Sequence, residues 1–316
     1  MDNRITKKRL SNFLSYEWIL MIVVIFLAIA TMELMYSVTS TRITAGQFFK
    51  YYLDKNLSSD VADFYLSLNY EPGKNGKTFS YDVLKVGMES LTVSDEVLVA
   101  RLSVQEGDVI FTDKTEEENG SSRAKQIVDG FPIMPLDDLL SKAKEYIAGF
   151  TVGGELSEDL IRTHFDERMR KDNRFRTEEQ KEAGRILETE RIQKLAKDVE
   201  DFEKLFTADI DGLFFYYTKY ENAHALEPDN EDWEILYGRE KNAGRENAKY
   251  GINLSVLGYG SGDKKDVSRF FQRYDTRTAD DVVVMVFDFT EYQPDLQFET
   301  ISFINTIFRS CSDILD

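Results

Sequence analysis

The sequence predicts an α/β fold in which a mostly parallel sheet is flanked by helices. Three observations lead to this prediction. A strand, a helix and a second strand follow one another within residues 80–113, and residues 281–289 (DVVVMVFDF) have the β-branched composition of a buried strand. A charged zone without proline at 157–206 is typical of helices inserted into such a domain. An apolar segment near the N-terminus adds a transmembrane helix to the expected architecture.

The strand–helix–strand unit has the clearest local signals. Residues 80–91 (SYDVLKVGMESL) have the composition of a strand, and Ser94 is a suitable N-cap for the helix that follows. Gly107 is a helix stop signal, and residues 108–113 (DVIFTD) form the short apolar run of a buried parallel strand. The unit therefore predicts a right-handed parallel crossover.

The charged zone predicts two helices, the first with Ser157 as its cap and the second over about 177–206. The second carries a heptad-like seam of fewer than two heptads, so packing on the domain is favoured over a coiled coil. The seam residues are Ile192, Leu195, Val199, Phe202 and Phe206. Further strands are expected at 61–70 and 250–257, and further helices at 42–53, 266–274 and 296–315. Residues 131–140 are expected to turn through two prolines into a helix that is capped by Asp137 or nearby and continues to Ile147.

The formal charge is −18, and it is unevenly distributed along the chain. Residues 1–16 hold four basic side chains against Asp2, a net charge of +3, which leaves about −21 on the remainder. A domain of this charge repels nucleic acid and anionic lipid headgroups. Nucleic acid is therefore not an expected partner.

Residues 18–32 (WILMIVVIFLAIATM) are uncharged and almost wholly apolar. A bilayer span takes about 20 residues, so the expected transmembrane helix covers 17–38, with membrane lipid as its partner. Tyr16, Trp18 and Tyr36 fit the aromatic belts at the two interfaces.

The basic N-terminus predicts a single-pass membrane protein with its main domain outside the cytoplasm. Because an exported domain with one cysteine fits a bacterial surface better than a eukaryotic lumen, the expected location is the bacterial cell membrane. The expected divisions are a cytoplasmic basic tail (1–16), the transmembrane helix (17–38), a juxtamembrane stalk (39–60) and the extracytoplasmic α/β domain (61–316) with its insertion at about 157–206.

A cleaved signal peptide is the alternative, because Ala28-Ile29-Ala30 has the form of a cleavage site. Retention is favoured, since apolar residues and Tyr36 continue beyond that site. The usual lipoprotein attachment is excluded, because no cysteine comes directly after the segment and the sole cysteine is Cys311. This thiol is expected to be buried or idle.

The sequence offers little catalytic chemistry. Its two histidines, His164 and His224, are far apart, and His164 sits on an apolar helical face, where a packed core histidine is the favoured interpretation. None of the standard hydrolase, phosphate-loop or zinc motifs occurs. An enzyme is therefore the disfavoured class, and no cofactor or metal is expected.

Aromatic residues crowd the stretch 213–237 and form the candidate ligand-binding site. Ring faces can stack on the faces of sugars, whereas core packing is the simpler explanation and the favoured one. The candidate residues are Phe215, Tyr216, Tyr217, Tyr220, Trp233 and Tyr237.

Three segments resemble bacterial extracellular solute-binding proteins of carbohydrate ABC importers. Residues 85–113 (KVGMESLTVSDEVLVARLSVQEGDVIFTD) resemble the opening crossover of that family, residues 130–140 (GFPIMPLDDLL) a loop and helix that follow, and residues 250–255 (YGINLS) a returning strand. They occur in the family's order. The resemblance implies one periplasmic-binding-protein-like lobe, with a carbohydrate and an ABC permease or solute-binding protein as partners.

The chain departs from that family in its retained membrane helix and in its charged helices at 157–206. A reduced relative is therefore expected: a non-enzymatic accessory or ligand-presenting protein of a carbohydrate ABC import system. The alternatives are a structural or sensory protein-docking ectodomain unrelated to transport and, with less support, a surface hydrolase.

Overall fold

The computed structural model divides the chain into two units, Met1–Ile43 and Thr44–Asp316. The residues that it describes are 7, 18–39, 48–58, 85–91, 95–104, 107–116, 120–170, 172, 175–219, 246–258, 262, 264–288 and 298–315.

The first unit contains helix α1 (Trp18–Thr39), which is 22 residues long. Its side chains are described at positions 22–33 and 35. Within the described residues, no helix of the chain has both the length and the apolar character needed to cross a membrane. The transmembrane helix expected at 17–38 stays a prediction, and so does the alternative of a cleaved signal peptide.

The second unit alternates strands and helices. Its strands are β1 (Phe48–Asp54), β2 (Leu57–Ser58), β3 (Lys85–Leu91), β4 (Val109–Asp113), β5 (Thr151–Val152), β6 (Glu155–Leu156), β7 (Phe214–Tyr217), β8 (Ala248–Asn253), β9 (Gln272–Arg273) and β10 (Val282–Val286). Its α-helices are α2 (Asp95–Ser103), α3 (Arg123–Gly130), α4 (Leu136–Ala148), α5 (Glu158–Met169), α6 (Glu178–Thr207) and α7 (Glu299–Cys311).

A six-stranded sheet of order β3-β1-β4-β10-β8-β7 is the centre of this unit. β1 is parallel to both β3 and β4, which confirms that the strand–helix–strand unit is a parallel crossover. β10 is antiparallel to β4 and β8, and β7 is antiparallel to β8. The α/β class is therefore confirmed, with a mixed sheet whose parallel half is β3, β1 and β4.

Both faces of the sheet are covered, because its central strands are apolar on both sides. Along β1, Tyr51 and Leu53 enter the larger hydrophobic cluster, which is completed by α4, α6 and α7, while Tyr52 enters a second cluster with α2 and α3. The period of two follows from the pleat, which sends successive side chains to opposite faces. All the residues of β4 and β10 are buried. The result is a three-layer arrangement of helices, sheet and helices.

The predicted helical insertion is present. Ser157 caps α5 by accepting from the Leu160 N–H, and Thr177 with Gln180 forms a capping box at the start of α6. The seam of α6 packs on the domain as predicted, since Leu195, Val199 and Phe202 belong to the larger cluster with α4 and α7.

Several predicted elements are wrong. The helix expected at 42–53 is replaced by β1 over 48–54, because apolar side chains alternate onto both faces of a central strand there. Residues 48–58, expected within a stalk, form β1 and β2 of the folded unit. The helix expected at 266–274 is a single 3₁₀ turn, Val267–Arg269, followed by β9. The strand expected at 61–70 lies outside the described residues.

Two predictions near the C-terminus are confirmed with changes. The strand expected at 250–257 ends at Asn253 and continues as a 3₁₀ turn. The helix expected at 296–315 is α7, which is buried around most of its circumference because it lies between the sheet and α6. Burial of Cys311 in this helix raises the pKa of its thiol to about 12, so the thiol is protonated and unreactive at neutral pH.

Gly184 of α6 lies directly against the rings of Phe165 in α5 and of Phe175. A Cβ added there would lie 2.3 Å from Cζ of Phe165 and 2.7 Å from Cε1 of Phe175. We expect Gly184→Ala to lower the free energy of unfolding by about 1–3 kcal/mol, since overpacking forces these rings to move. Urea denaturation measures the change. Gly130→Ala, which meets no atom within 4 Å, is the matched control and should leave stability unchanged or slightly raised.

Candidate functional site

The predicted aromatic cluster does not form one surface. Within β7, the Phe215 and Tyr217 rings stack with centroids 6.4 Å apart and pack on the side of α2 and α3. Phe215 is buried, and the Tyr217 hydroxyl donates to Asp129 Oδ2 at 2.6 Å. Tyr216 points to the other face and is 48% exposed. The alternation of the strand therefore divides the candidate residues, while Tyr220, Trp233 and Tyr237 lie outside the described residues.

Three rings on the face of Tyr216 form what we call the aromatic row: Phe206, Phe214 and Tyr216. The Phe206 and Phe214 centroids are 5.0 Å apart, and Phe214 meets Tyr216 at 6.3 Å in an edge-to-face contact. The row forms because the last turn of α6 packs on β7, which lies at the edge of the sheet. Phe206 and Phe214 are partly buried, so Tyr216 is its most accessible ring.

An ion pair borders the aromatic row. Nζ of Lys249 lies 4.8 Å from the Phe206 centroid and 5.2 Å from the Phe214 centroid, and 3.0 Å from Oδ1 of Asp137. The ammonium group is attracted to the electron-rich ring faces. The Asp137 side chain is 44% exposed. The arrangement offers a ring for stacking beside a hydrogen-bond donor and acceptor, which is the chemistry that holds a hydroxyl-rich ligand.

The carboxyl ends of β1 and β4 form the second surface of interest. The chain passes from β1 to β3 on one side and then to β4 on the other, and ligands of open α/β sheets bind at such switch points. Asp54, the last residue of β1, is 1% exposed. Its Oδ2 accepts from Arg123 Nε and from the Thr112 hydroxyl, each at 2.8 Å, and its Oδ1 accepts from the Lys55 N–H. Both oxygens of this carboxylate therefore accept hydrogen bonds from within the protein.

Arg273 closes the neighbouring part of the same edge. Its guanidinium lies 2.6 Å from Asp275, 3.5 Å from Asp113 and 3.8 Å from Asp281, and it also donates to the Thr115 hydroxyl. Asp113 is the last residue of β4 and is buried. Among the described residues, the charged groups at this edge are therefore engaged with one another rather than directed at an open crevice.

Two buried titratable groups lie toward the opposite end of the strands, where β4 begins and β7 ends. Burial of the Asp108 carboxyl group raises its pKa to about 7, and repulsion from the nearby Glu299 adds to the rise. The Lys50 N–H, which donates to Oδ2 at 2.8 Å, offsets part of it. Burial lowers the pKa of Lys219 to about 8, partly offset by the charges of Asp129 and Asp288. The Lys219 ammonium donates to the carbonyl of Phe131. Each group forms a hydrogen bond with the backbone, which is typical of a buried polar group with a structural role.

His164 is half-buried rather than a core residue. Its ring meets Phe150 edge-on at 5.1 Å, and its Nδ1 lies 3.9 Å from Glu188 Oε1. Glu188 is itself held by Arg168 and Arg191. The described residues contain no group of three or more side chains placed to hold a metal ion. His224 lies outside the described residues.

The sequence did not identify Phe206, Lys249 or Asp137 as site residues. Phe206 appeared as the last position of the α6 seam, and nothing in the sequence pairs Lys249 with Asp137, which are 112 residues apart. Their contact arises only when α4 and β8 meet on the sheet.

Comparisons with protein-family models, with curated proteins and with solved structures give no significant match to the chain.

Arg123 is the sole cation within ion-pair distance of buried Asp54 among the described residues. We expect Arg123→Gln to lower the free energy of unfolding by about 3 kcal/mol, because the carboxylate stays buried without its cation. Urea denaturation tests this. Lys125→Gln, which removes the exposed pair with Glu116, is the matched control and should change stability little. Equal effects of the two substitutions would contradict the structural importance of the Asp54 pair.

Asp108→Asn tests the raised pKa. The folded-state pKa of about 7 lies above the ordinary value of 3.8, so the wild type loses stability as pH rises from about 4 to 7, and the full loss persists above 7. Asparagine keeps an acceptor for the Lys50 N–H without the charge. The variant should therefore gain stability over the wild type at pH 8, on the order of 2 kcal/mol, and little at pH 4.

Thermal unfolding at both pH values measures this difference. Asp209→Asn, on the exposed turn after α6, is the control for the loss of one negative charge. A gain of Asp108→Asn that is the same at both pH values would show that the carboxyl group is not held neutral by the fold.

Proposed function

We propose that the chain is a membrane-anchored, extracytoplasmic and non-enzymatic protein that works beside a carbohydrate ABC importer and contacts the sugar through the aromatic row. The observation that carries this proposal is the row itself: an accessible ring, Tyr216, beside the Lys249–Asp137 pair on an edge strand. Stacking of a ring on the apolar face of a sugar needs such an exposed ring, and the hydroxyl groups need charged or polar neighbours.

The proposed anchor is the segment 17–38. Helix α1 is continuous over Trp18–Thr39, and the apolar side chains described along it are exposed on every side, among them Ile22, Val24, Phe26 and Leu27 at 42–69%. Residues 22–32 hold no charged side chain, and an uncharged stretch of this kind favours burial in a large core or in a membrane. The basic residues before it favour a cytoplasmic N-terminus.

The proposed relation to solute-binding proteins is supported by where the resembling segments lie. Residues 85–113 form β3, α2 and β4, residues 130–140 include the start of α4, and residues 250–255 include most of β8. All three segments lie in the same α/β unit, Thr44–Asp316. A single lobe fits an accessory or ligand-presenting protein better than a carrier that encloses its ligand between two lobes.

The carboxyl edge favours the same conclusion. Asp54 and Asp113 are held by Arg123 and Arg273, so the usual ligand position of an open α/β sheet is filled with internal ion pairs. The aromatic row is therefore the proposed place of contact with a sugar, because Tyr216 and the neighbouring Asp137 are exposed there. Weak binding there is sufficient for a tethered protein, because tethering raises the local concentration to about the millimolar range.

Calorimetric titration of the full-length protein with a panel of neutral oligosaccharides tests the sugar contact. We expect saturable heat for at least one oligosaccharide. Tyr216→Ala should weaken its affinity about tenfold, because it removes both the apolar contact area of the ring and the stacking geometry. Tyr274→Ala is the matched control, since Tyr274 is 56% exposed and lies away from the row.

The outcomes separate three functions. Heat that both substitutions leave unchanged would place the sugar elsewhere. Absence of heat with every oligosaccharide would contradict ligand presentation and favour the protein-docking alternative. Hydrolysis of an oligosaccharide during the titration would contradict the non-enzymatic assignment.

A further inference from the structure

The register of β7 and β8 places a charged pair directly beside the accessible ring of the aromatic row. Tyr216 is the cross-strand partner of Lys249, and side chains at such paired positions stand on the same face of the sheet, with their Cβ atoms about 5 Å apart. Asp137, in the first turn of α4, joins this face through its ion pair with Lys249. A ligand that stacks on the Tyr216 ring therefore meets an ammonium group and a carboxylate group beside it.

Both members of this pair keep hydrogen-bonding capacity. The Lys249 ammonium group carries three N–H bonds, and one of them donates to Asp137 Oδ1 at 3.0 Å. Among the described residues, no other group accepts from this ammonium, and none donates to Asp137 Oδ2. The rings of Phe206 and Phe214 attract the ammonium group, so the pair is held in place before a ligand arrives.

A donor beside an acceptor matches two adjacent hydroxyl groups. Neighbouring gauche hydroxyl oxygens of a pyranose ring lie about a hydrogen-bond length apart, as do Lys249 Nζ and Asp137 Oδ1. One hydroxyl can donate to Asp137 Oδ2 while its neighbour accepts from Lys249, because every hydroxyl both donates and accepts. Both bonds are charge-assisted and therefore stronger than bonds between neutral groups. The bond between Lys249 and Asp137 does not have to break.

We propose that the aromatic row binds a neutral pyranose unit through a vicinal diol, with one hydroxyl on Asp137, its neighbour on Lys249 and the sugar face on Tyr216. A uronate is disfavoured, because the pair is neutral as a whole and the chain has a net charge of −18. Tyr216 is the most accessible ring of the row, so one sugar unit is sufficient for the contact. The inference rests on the sugar contact of the proposed function and is independent of the anchor and of the importer.

Methyl glycosides of glucose, galactose and mannose, each with its 2-, 3- and 4-deoxy analogues, are the probes. The 3-deoxy analogue has no two adjacent ring hydroxyl groups, whereas the 2-deoxy and 4-deoxy analogues each keep one such pair. We expect at least one parent glycoside to bind and its 3-deoxy analogue to bind about tenfold more weakly, because one of two charge-assisted bonds is lost. One of the other two analogues should bind as well as the parent. Saturation-transfer NMR on the full-length protein, in a detergent without a sugar headgroup, measures these affinities.

Two substitutions test whether the pair reads the diol. Lys249→Met keeps an apolar side chain against the rings and should abolish the difference between the parent and the 3-deoxy glycoside. Asp137→Asn leaves the Lys249 charge unbalanced, so methyl glucuronide should gain affinity relative to methyl glucoside. Asp138→Asn removes the same charge from the same turn without removing the partner of Lys249. It is the matched control and should leave both preferences unchanged.

The outcomes distinguish the diol from the sugar contact itself. Binding that needs Tyr216 but does not distinguish the parent from its 3-deoxy analogue would overturn the diol and leave the sugar contact intact. Tighter binding of methyl glucuronide than of methyl glucoside by the wild type would also overturn it, as would equal effects of Asp137→Asn and Asp138→Asn. Binding that Tyr216→Ala leaves unchanged, or no binding of any glycoside, would overturn the proposed sugar contact and this inference with it.

Discussion

The fold depends on one strand, β10, which is buried on both faces and joins the two halves of the sheet. Its neighbours are β4, from the parallel half, and β8, from the later part of the chain, and it is antiparallel to both. Val283 and Met285 face the cluster of α2 and α3, while Val282, Val284 and Val286 face that of α4 and α7. A strand so apolar is stable only when both faces are covered, so the helices on the two sides are required together.

This constraint determines where polar groups can be placed. The interiors of β4 and β10 hold no charged side chain, and buried charged groups lie at the strand ends, where Asp54 and Asp113 pair with Arg123 and Arg273. The exposed ring of Tyr216 lies at the margin of the sheet, which β7 and the last turn of α6 provide. The aromatic row is accessible because it lies at an edge of the sheet rather than over its centre.

Much of the fold could be predicted because local signals agreed with the final packing. The strand–helix–strand unit, the cap at Ser157, the second helix from about 177 and the seam of α6 all belong to this class. β1 was predicted as a helix because a central strand is apolar on both faces and lacks the alternation of a half-buried strand. The Lys249–Asp137 pair and the closure of the carboxyl edge by Arg273 depend on contacts between distant parts of the chain, which one sequence does not reveal.

The central claim is that the chain acts at a membrane beside a carbohydrate importer. Affinity capture of the tagged full-length protein from native membranes, with brief crosslinking and mass spectrometry, tests it most directly. A matched chain that lacks residues 1–38 is the control for contacts that need the anchor. The account predicts that permease or solute-binding subunits of a carbohydrate ABC importer are enriched with the full-length protein and depleted with the control. Recovery of the full-length protein from the soluble fraction, or from membranes without any transporter subunit, would contradict it.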